Sequence, residues 1–343
     1  MLEPQTRARH NLDMQKIGII GAGAWGTALA ATVKRAERDV ILWAREPEVR
    51  DSINEIRMNM TFLSGVALPG GIKATSDIAD ACDVDAVLIV TPAQFVRRTA
   101  EDMAAHLGAN VPVAICAKGI EQGSLKLMSE VVEEALPGRP VAALSGPTFA
   151  KEVAGNLPTA VTLACADAAI ADQLIEAVST RTFRAYRSDD VIGAEIGGAV
   201  KNVLAIACGI AEGRTLGDNA RATLITRGLA EIARLGRAKG AQPKTVMGLC
   251  GLGDLTLTCN AMQSRNFSLG HALGSGQSLD EIMSSRNTVA EGVFSAEAVV
   301  ALAASLGVET PICAAVDAII NKGLPIDDAI TGLLDRPVGT EAV

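Results

Sequence analysis

The sequence predicts an α/β N-terminal domain with a mostly parallel sheet, followed by an all-α C-terminal domain. Three observations carry this. Short β-branched runs alternate with helical patterns from Lys16 to about residue 189, as they do where parallel strands are joined by right-handed helical crossovers. Beyond Asp190 the apolar residues recur at helical spacing, with glycine near several helix ends. A glycine-rich turn separates the first strand run from the first helical run.

At 343 residues the chain is long for one core and suits two domains, each able to bury a stable interior without disulfides or metal. Apolar residues make up 49% but aromatics only 3%, a mix that suits closely packed helices and buried parallel strands. A net charge of -8 with no basic run argues against nucleic acid and anionic membranes, so an anionic ligand must be held by a few placed cations. The seven cysteines are scattered without a CxxC pair and read as reduced core residues, with no zinc site. With no uninterrupted apolar run long enough for a membrane span and no signal-peptide core, the expected location is cytoplasmic.

Residues 1–15 are polar, lack apolar periodicity and are read as a tail or as an upstream start before Met14. The first domain is placed at 16–189, with strands expected at 17–20, 39–43, 86–90, 112–116, 141–144 and 159–163. The second is placed at 190–343, with helical patterns at 191–212, 219–239, 264–273, 295–306 and 313–321. No low-complexity linker separates them, so a cleft between closely packed domains is expected.

The first strand runs into Gly21-Ala22-Gly23-Ala24-Trp25-Gly26 and then an alanine-rich helix. This order of strand, GxGxxG turn and helix is that of a Rossmann-type dinucleotide site, where backbone N–H groups face a pyrophosphate; any tight βα turn is the plainer alternative. The second strand ends in Ala44-Arg45 rather than the acidic residue that binds a free ribose, which favours NADP(H) while leaving NAD(H) open. Otherwise Arg45 is a solvated arginine beside Glu46.

Later strand ends carry Thr91-Pro92-Ala93, Ala117-Lys118-Gly119 and Ser145-Gly146-Pro147-Thr148. Ligands in open α/β sheets sit beyond the carboxyl ends of strands, so Lys118 stands where a cation reaches a ligand, although by itself it reads as a surface turn lysine. Lys201 and Asn202 are isolated polar residues in a helix otherwise small and apolar. Lys201 should lean back over Gly197 and Gly198, two missing side chains that leave it space, and a partly desolvated lysine exchanges protons near neutrality. A lysine snorkelling to solvent is the competing reading. Asp254, after a flexible glycine-rich turn, can orient Lys201 by a charge-assisted hydrogen bond; Ser264 can cap a helix whose N-terminus, with Arg265, suits phosphate.

With GAGAWGTALA, AKGIE, LSGPTFAKEV, GGAVKNVLAI, GLGDLTLTC, SRN and VAEGV in order, the chain resembles the bacterial NAD(P)-dependent glycerol-3-phosphate dehydrogenases from Lys16 to about Gly332. The resemblance implies reversible hydride transfer between NAD(P)H and dihydroxyacetone phosphate, giving sn-glycerol 3-phosphate for phospholipid synthesis. It implies that Lys201 is the proton acceptor and that Asp254, Ser264, Arg265, Asn266, Lys118, Gly146 and Thr148 meet the substrate. Ala24, Trp25, Arg45, Lys118, Ala150, Arg265, Val289 and Glu291 match positions that meet the cofactor. The expected partner is thus a small phosphorylated substrate, with a homodimer allowed. Two alternatives stay open: a related hydroxy-acid or sugar-phosphate dehydrogenase, and a regulator that senses a dinucleotide without chemistry.

Overall fold

The computed structural model describes residues 14–284 and 290–337. The first part is one eight-stranded sheet: β1 (Lys16–Ile20), β2 (Asp39–Trp43), β3 (Ile72–Thr75), β4 (Ala86–Ile89), β5 (Val113–Ile115), β6 (Val141–Ser145), β7 (Thr159–Cys165) and β8 (Phe183–Ser188). Their spatial order is β3-β2-β1-β4-β5-β6-β7-β8. Helices α1 (Ala24–Arg35), α2 (Pro47–Ile56), α3 (Val96–Met103), α4 (Met128–Ala135), α5 (Ala150–Ala154) and α6 (Ala168–Val178) connect or flank the strands.

Both faces of the sheet are covered, which is why its central strands are nearly all apolar. Alternate residues enter different cores: Ile19 and Leu88 share one with Leu29 of α1, whereas Ile20, Val87 and Ile89 share the other with Val96 of α3 and Val131 of α4. Every neighbouring pair is parallel except β6 and β7, which run antiparallel with Ser145 opposite Thr162. The six expected strands are present. β3 and β8, the two edges, were not expected, because Lys73, Arg184 and Arg187 interrupt their apolar runs; an edge strand tolerates such residues on its open side.

The second part comprises α7 (Val191–Gly213), α8 (Asp218–Lys239), α9 (Pro243–Val246), α10 (Asp254–Thr258), α11 (Arg265–Gly274), α12 (Leu279–Ser284), α13 (Glu291–Ser305), α14 (Pro311–Lys322) and α15 (Ile326–Leu334). Helix α7 is its axis, and Asp190 caps it through Gly193 N at 2.9 Å. Its glycines mark close backbone approach: a Cβ on Gly209 would lie 2.1 Å from the Phe267 carbonyl oxygen, and one on Gly270 of α11 would lie 2.1 Å from that of Ile206. Among the described helices, α7 is long and apolar enough by length and composition to cross a membrane. It is instead mostly buried here, and it carries Glu195, Lys201 and Asn202.

The glycine-rich segment before Asp254 departs from the expected flexible turn. Residues Leu249–Gly253 form a π-helical turn leading into α10. A Cβ on Gly251 would fall 1.9 Å from the Val246 carbonyl oxygen, so this glycine serves tight packing rather than mobility.

Candidate active site

The turn after β1 has the shape a pyrophosphate needs. Gly21 holds φ at 117°, a left-handed conformation that a side chain resists, with its Cβ position 3.0 Å from the Val90 carbonyl carbon. A Cβ on Gly26 would strike the Gly21 carbonyl oxygen at 1.8 Å, so helix and strand meet closely there. At Gly23, the N-cap of α1, no atom lies within 4 Å of that position and no side chain caps the helix. Open space before uncapped N–H groups is what an anionic ligand requires. Ala24 opens α1, and the Trp25 ring stands 6.5 Å from that of Phe183.

At the carboxyl ends of the inner strands, two hydroxyls are buried with no hydrogen-bond partner in the described structure: Thr91 Oγ1 just after β4 and Ser145 Oγ at the end of β6. An unsatisfied buried hydroxyl costs about 1–3 kcal/mol, so both favour a ligand that supplies partners. Glycines, uncapped helix and orphan hydroxyls together fit a dinucleotide. Arg45 stands beyond β2, 73% exposed at its side chain, and pairs with Glu46 Oε1 at 2.7 and 3.0 Å.

Next to this turn lies a small, narrow pocket whose lining includes Trp25, Lys118, Ser145, Gly146 and Thr148. Gly146, at φ 152°, brings the chain against β7: its Cβ position is 2.9 Å from Val161 Cα. Thr148 Oγ1 donates back to the Gly146 carbonyl at 3.3 Å, and Ala150 opens α5.

The chemistry concentrates where α7, α10 and the loop after β5 meet. Asp254 is fully buried, and its carboxylate accepts from two lysines: Lys201 Nζ at Oδ1 and Lys118 Nζ at Oδ2, the latter at 2.5 Å. Lys118 also donates to the Gly146 carbonyl at 3.0 Å, and Lys201 to Thr258 Oγ1 at 2.9 Å. Thr258 in turn donates to the Asp254 carbonyl at 2.6 Å. Thr258 was not singled out from the sequence, although a threonine four residues after Asp254 on a helix shares its face, which is the signal that would have found it.

Burial pushes the Lys201 ammonium down to about 8; Asp254 opposes that shift, and the nearby Lys118 adds to it. Lys201 is therefore not the snorkelling surface lysine of the plainer reading: its side chain is 7% exposed. Nor do Gly197 and Gly198 leave it empty space. A Cβ on Gly197 would meet the Cys250 carbonyl oxygen at 2.4 Å, and one on Gly198 would meet Lys118 Cγ and Ser145 Oγ at 3.1 Å. The first glycine admits the π-helical turn and the second the Lys118 stem.

Around this centre, Glu291 begins α13, its acidity weakened by burial and partly restored by Arg265, Lys118 and Lys201. Ser264 caps α11, accepting from Phe267 N at 3.2 Å, and Arg265 is the first residue of that helix. Asn266 faces inward: Nδ2 donates to Asn202 Oδ1 and Oδ1 accepts from Gly292 N, both at 2.9 Å, tying α7, α11 and α13 together. Val289 lies outside the described residues. All seven cysteines are free and buried, and no group of residues suited to a metal ion occurs among the described residues.

Two family models match the chain: "NAD-dependent glycerol-3-phosphate dehydrogenase N-terminus" over residues 16–171 and the corresponding C-terminus over 190–331. A "Glycerol-3-phosphate dehydrogenase [NAD(P)+]" of Caulobacter vibrioides is 57% identical, covering 96% of this chain and 100% of the relative. One of Rhodospirillum rubrum is 58% identical, over 96% of this chain and 95% of the relative. The crystal structure of glycerol-3-phosphate dehydrogenase from Coxiella burnetii superposes with a TM-score of 0.91 at 40% identity, covering 94% of this chain and 99% of that one. With both halves matched and relatives more than half identical along nearly their whole length, the chain belongs to the NAD-dependent glycerol-3-phosphate dehydrogenase family.

Proposed function

We propose that the chain interconverts dihydroxyacetone phosphate and sn-glycerol 3-phosphate by hydride transfer with NADP(H) or NAD(H), Lys201 moving the accompanying proton. The observation that carries the reading is the buried Asp254 carboxylate shared by Lys118 and Lys201 beside a dinucleotide-shaped turn. Two cations against one anion leave a positive excess where negative charge develops on the substrate oxygen, and a low-dielectric site strengthens that effect.

The bound dinucleotide supplies or accepts the hydride. Gly21, Gly23, Ala24, Trp25 and Gly26 would hold its pyrophosphate end, with Ala150, Val289 and Glu291 along its length. Arg45 would favour the 2′-phosphate of NADP(H); the pair with Glu46 is solvent-exposed, hence weak and readily exchanged. On the substrate, Arg265 and the Ser264-capped start of α11 would take the phosphate, and Gly146 and Thr148 would line its path. Asn266 supports this group by fixing α11 against α7 and α13.

In reduction the Lys201 ammonium gives its proton to the C2 oxygen as the hydride arrives; in oxidation the neutral amine takes it. Asp254 and Thr258 hold Nζ in place for both directions. Lys118, on the other carboxylate oxygen, would polarise the substrate oxygen. Initial rates with dihydroxyacetone phosphate and each reduced cofactor test the reading. Consumption of NADPH or NADH that depends on this substrate supports it; none with either cofactor overturns it and returns the chain to a related dehydrogenase or a cofactor sensor.

A further inference from the structure

Lysine is a long flexible side chain, so the placing of its ammonium depends on the main chain that bears it. Lys118 stands at the root of the loop 117–127, which leaves β5 and returns to α4. The far part of this loop belongs to the helical domain: Ile120 and Leu127 are fully buried in that core. Its main chain is gripped from the other side by the turn after β4.

There Gln94 bonds the loop through both ends of its amide. Nε2 donates to the Ile120 carbonyl at 2.8 Å, and Oε1 accepts from Gln122 N at 2.9 Å. Just before Ile120, a Cβ on Gly119 would lie 2.6 Å from Ala93 Cβ, so the two chains are in contact at the neighbouring residue as well. Arg97, one turn further along, holds the intervening Glu121 with two bonds of 2.9 and 2.8 Å. Gln122 then reaches Glu297 of α13 at 3.3 Å.

We propose that Gln94 is a positioning residue for Lys118: its side-chain amide fixes the loop main chain two residues beyond Lys118 and so sets where that ammonium meets Asp254 and the substrate. The inference rests on the reading of Lys118 as a substrate-facing cation. Gln94 touches neither Asp254 nor Lys201, and acts only through the loop. Displacing a catalytic-site group by about 1 Å can cost on the order of 10² in rate, and two uncharged hydrogen bonds are enough to decide such a shift.

The test is a double-mutant cycle of Gln94→Met, which keeps length and apolar packing, with Lys118→Ala. Gln94→Met should lower kcat/KM for dihydroxyacetone phosphate at least about tenfold, mainly through KM, in a protein that stays folded. In the Lys118→Ala background the same change should cost nothing further, which a merely structural role would not produce. An unchanged kcat/KM in Gln94→Met, or losses that multiply in the double mutant, overturns the proposal while sparing the reading of Lys118. Wild-type kcat/KM in Lys118→Ala overturns that reading and this proposal with it. Should Gln94→Met not fold, Gln94→Glu keeps the acceptor for Gln122 and loses the donor to Ile120, and the same cycle is read on it.

Discussion

Lys118 and Lys201 reach the same carboxylate from different domains, one at each oxygen of Asp254. Lys118 follows the fifth strand of the sheet, whereas Lys201 sits on the axial helix of the helical domain. The shared anion keeps two ammonium groups together in a buried place, and Lys118 adds to the downward shift that burial imposes on the Lys201 ammonium.

That influence gives the first prediction. With the Lys201 ammonium held near 8, oxidation of glycerol 3-phosphate needs the amine and should rise through about pH 8 before levelling. Reduction of dihydroxyacetone phosphate needs the ammonium, so it should hold below about pH 8 and decline above it. The kcat/KM profiles in both directions check this; parallel profiles would remove Lys201 as the proton carrier.

Lys201→Met keeps the length of the side chain without its charge and should lower turnover by about 10² to 10⁴ while leaving NADPH affinity nearly intact. Asp254→Asn weakens the hold on the same ammonium. Their combined loss should therefore be smaller than the product of the single losses, as for groups that work as a unit. A folded Lys201→Met protein retaining more than about a tenth of wild-type turnover would contradict the assignment.

Cofactor choice is tested at Arg45. Replacing it by aspartate exchanges a group that attracts a 2′-phosphate for one that repels it and binds a free ribose. Arg45→Asp should shift kcat/KM from NADPH toward NADH by about tenfold or more. A wild type that uses NADH as efficiently as NADPH would show that Arg45 serves only its surface pair with Glu46.

The central strands were legible because burial on both faces makes them nearly continuous apolar runs, as in β4. The edges β3 and β8 were not, since residues such as Lys73 and Arg184 break that signal. In the site, Lys201 stood out as the one cation of an apolar helix, and Asp254 as its partner. What spacing could not reveal is long-range: that Lys118, 136 positions before Asp254, takes its second oxygen, or that Gly198 is small because the Lys118 stem lies against it. The glycines around Lys201 suggested a space, yet packing filled it with backbone and side chain from other elements.

The last prediction concerns Glu195, six residues before Lys201 on α7. Its buried carboxylate accepts from Ser129 N at 2.9 Å and Ser129 Oγ at 2.5 Å, joining the axial helix to the start of α4. Burial pushes this carboxyl up to about 7; the two Ser129 bonds restrain the shift, and the neighbouring Glu130 and Glu133 add to it. Glu130 is itself paired with Lys239 at 2.7 Å. An unfolded glutamate titrates near 4.3, so between that value and about 7 the folded protein binds the proton more tightly than the unfolded chain. Stability must then fall as pH rises across this window, and above it the fold carries a buried charge. Glu195→Gln keeps an acceptor for Ser129 N, offers a donor to Ser129 Oγ and cannot ionise. The stability of Glu195→Gln relative to wild type should therefore increase from about pH 5 to pH 8, by an amount on the order of 3 kcal/mol. Urea denaturation of both proteins at the two pH values measures the difference, and a gap that does not widen with pH would mean that Glu195 stays ionised throughout, held by its Ser129 bonds.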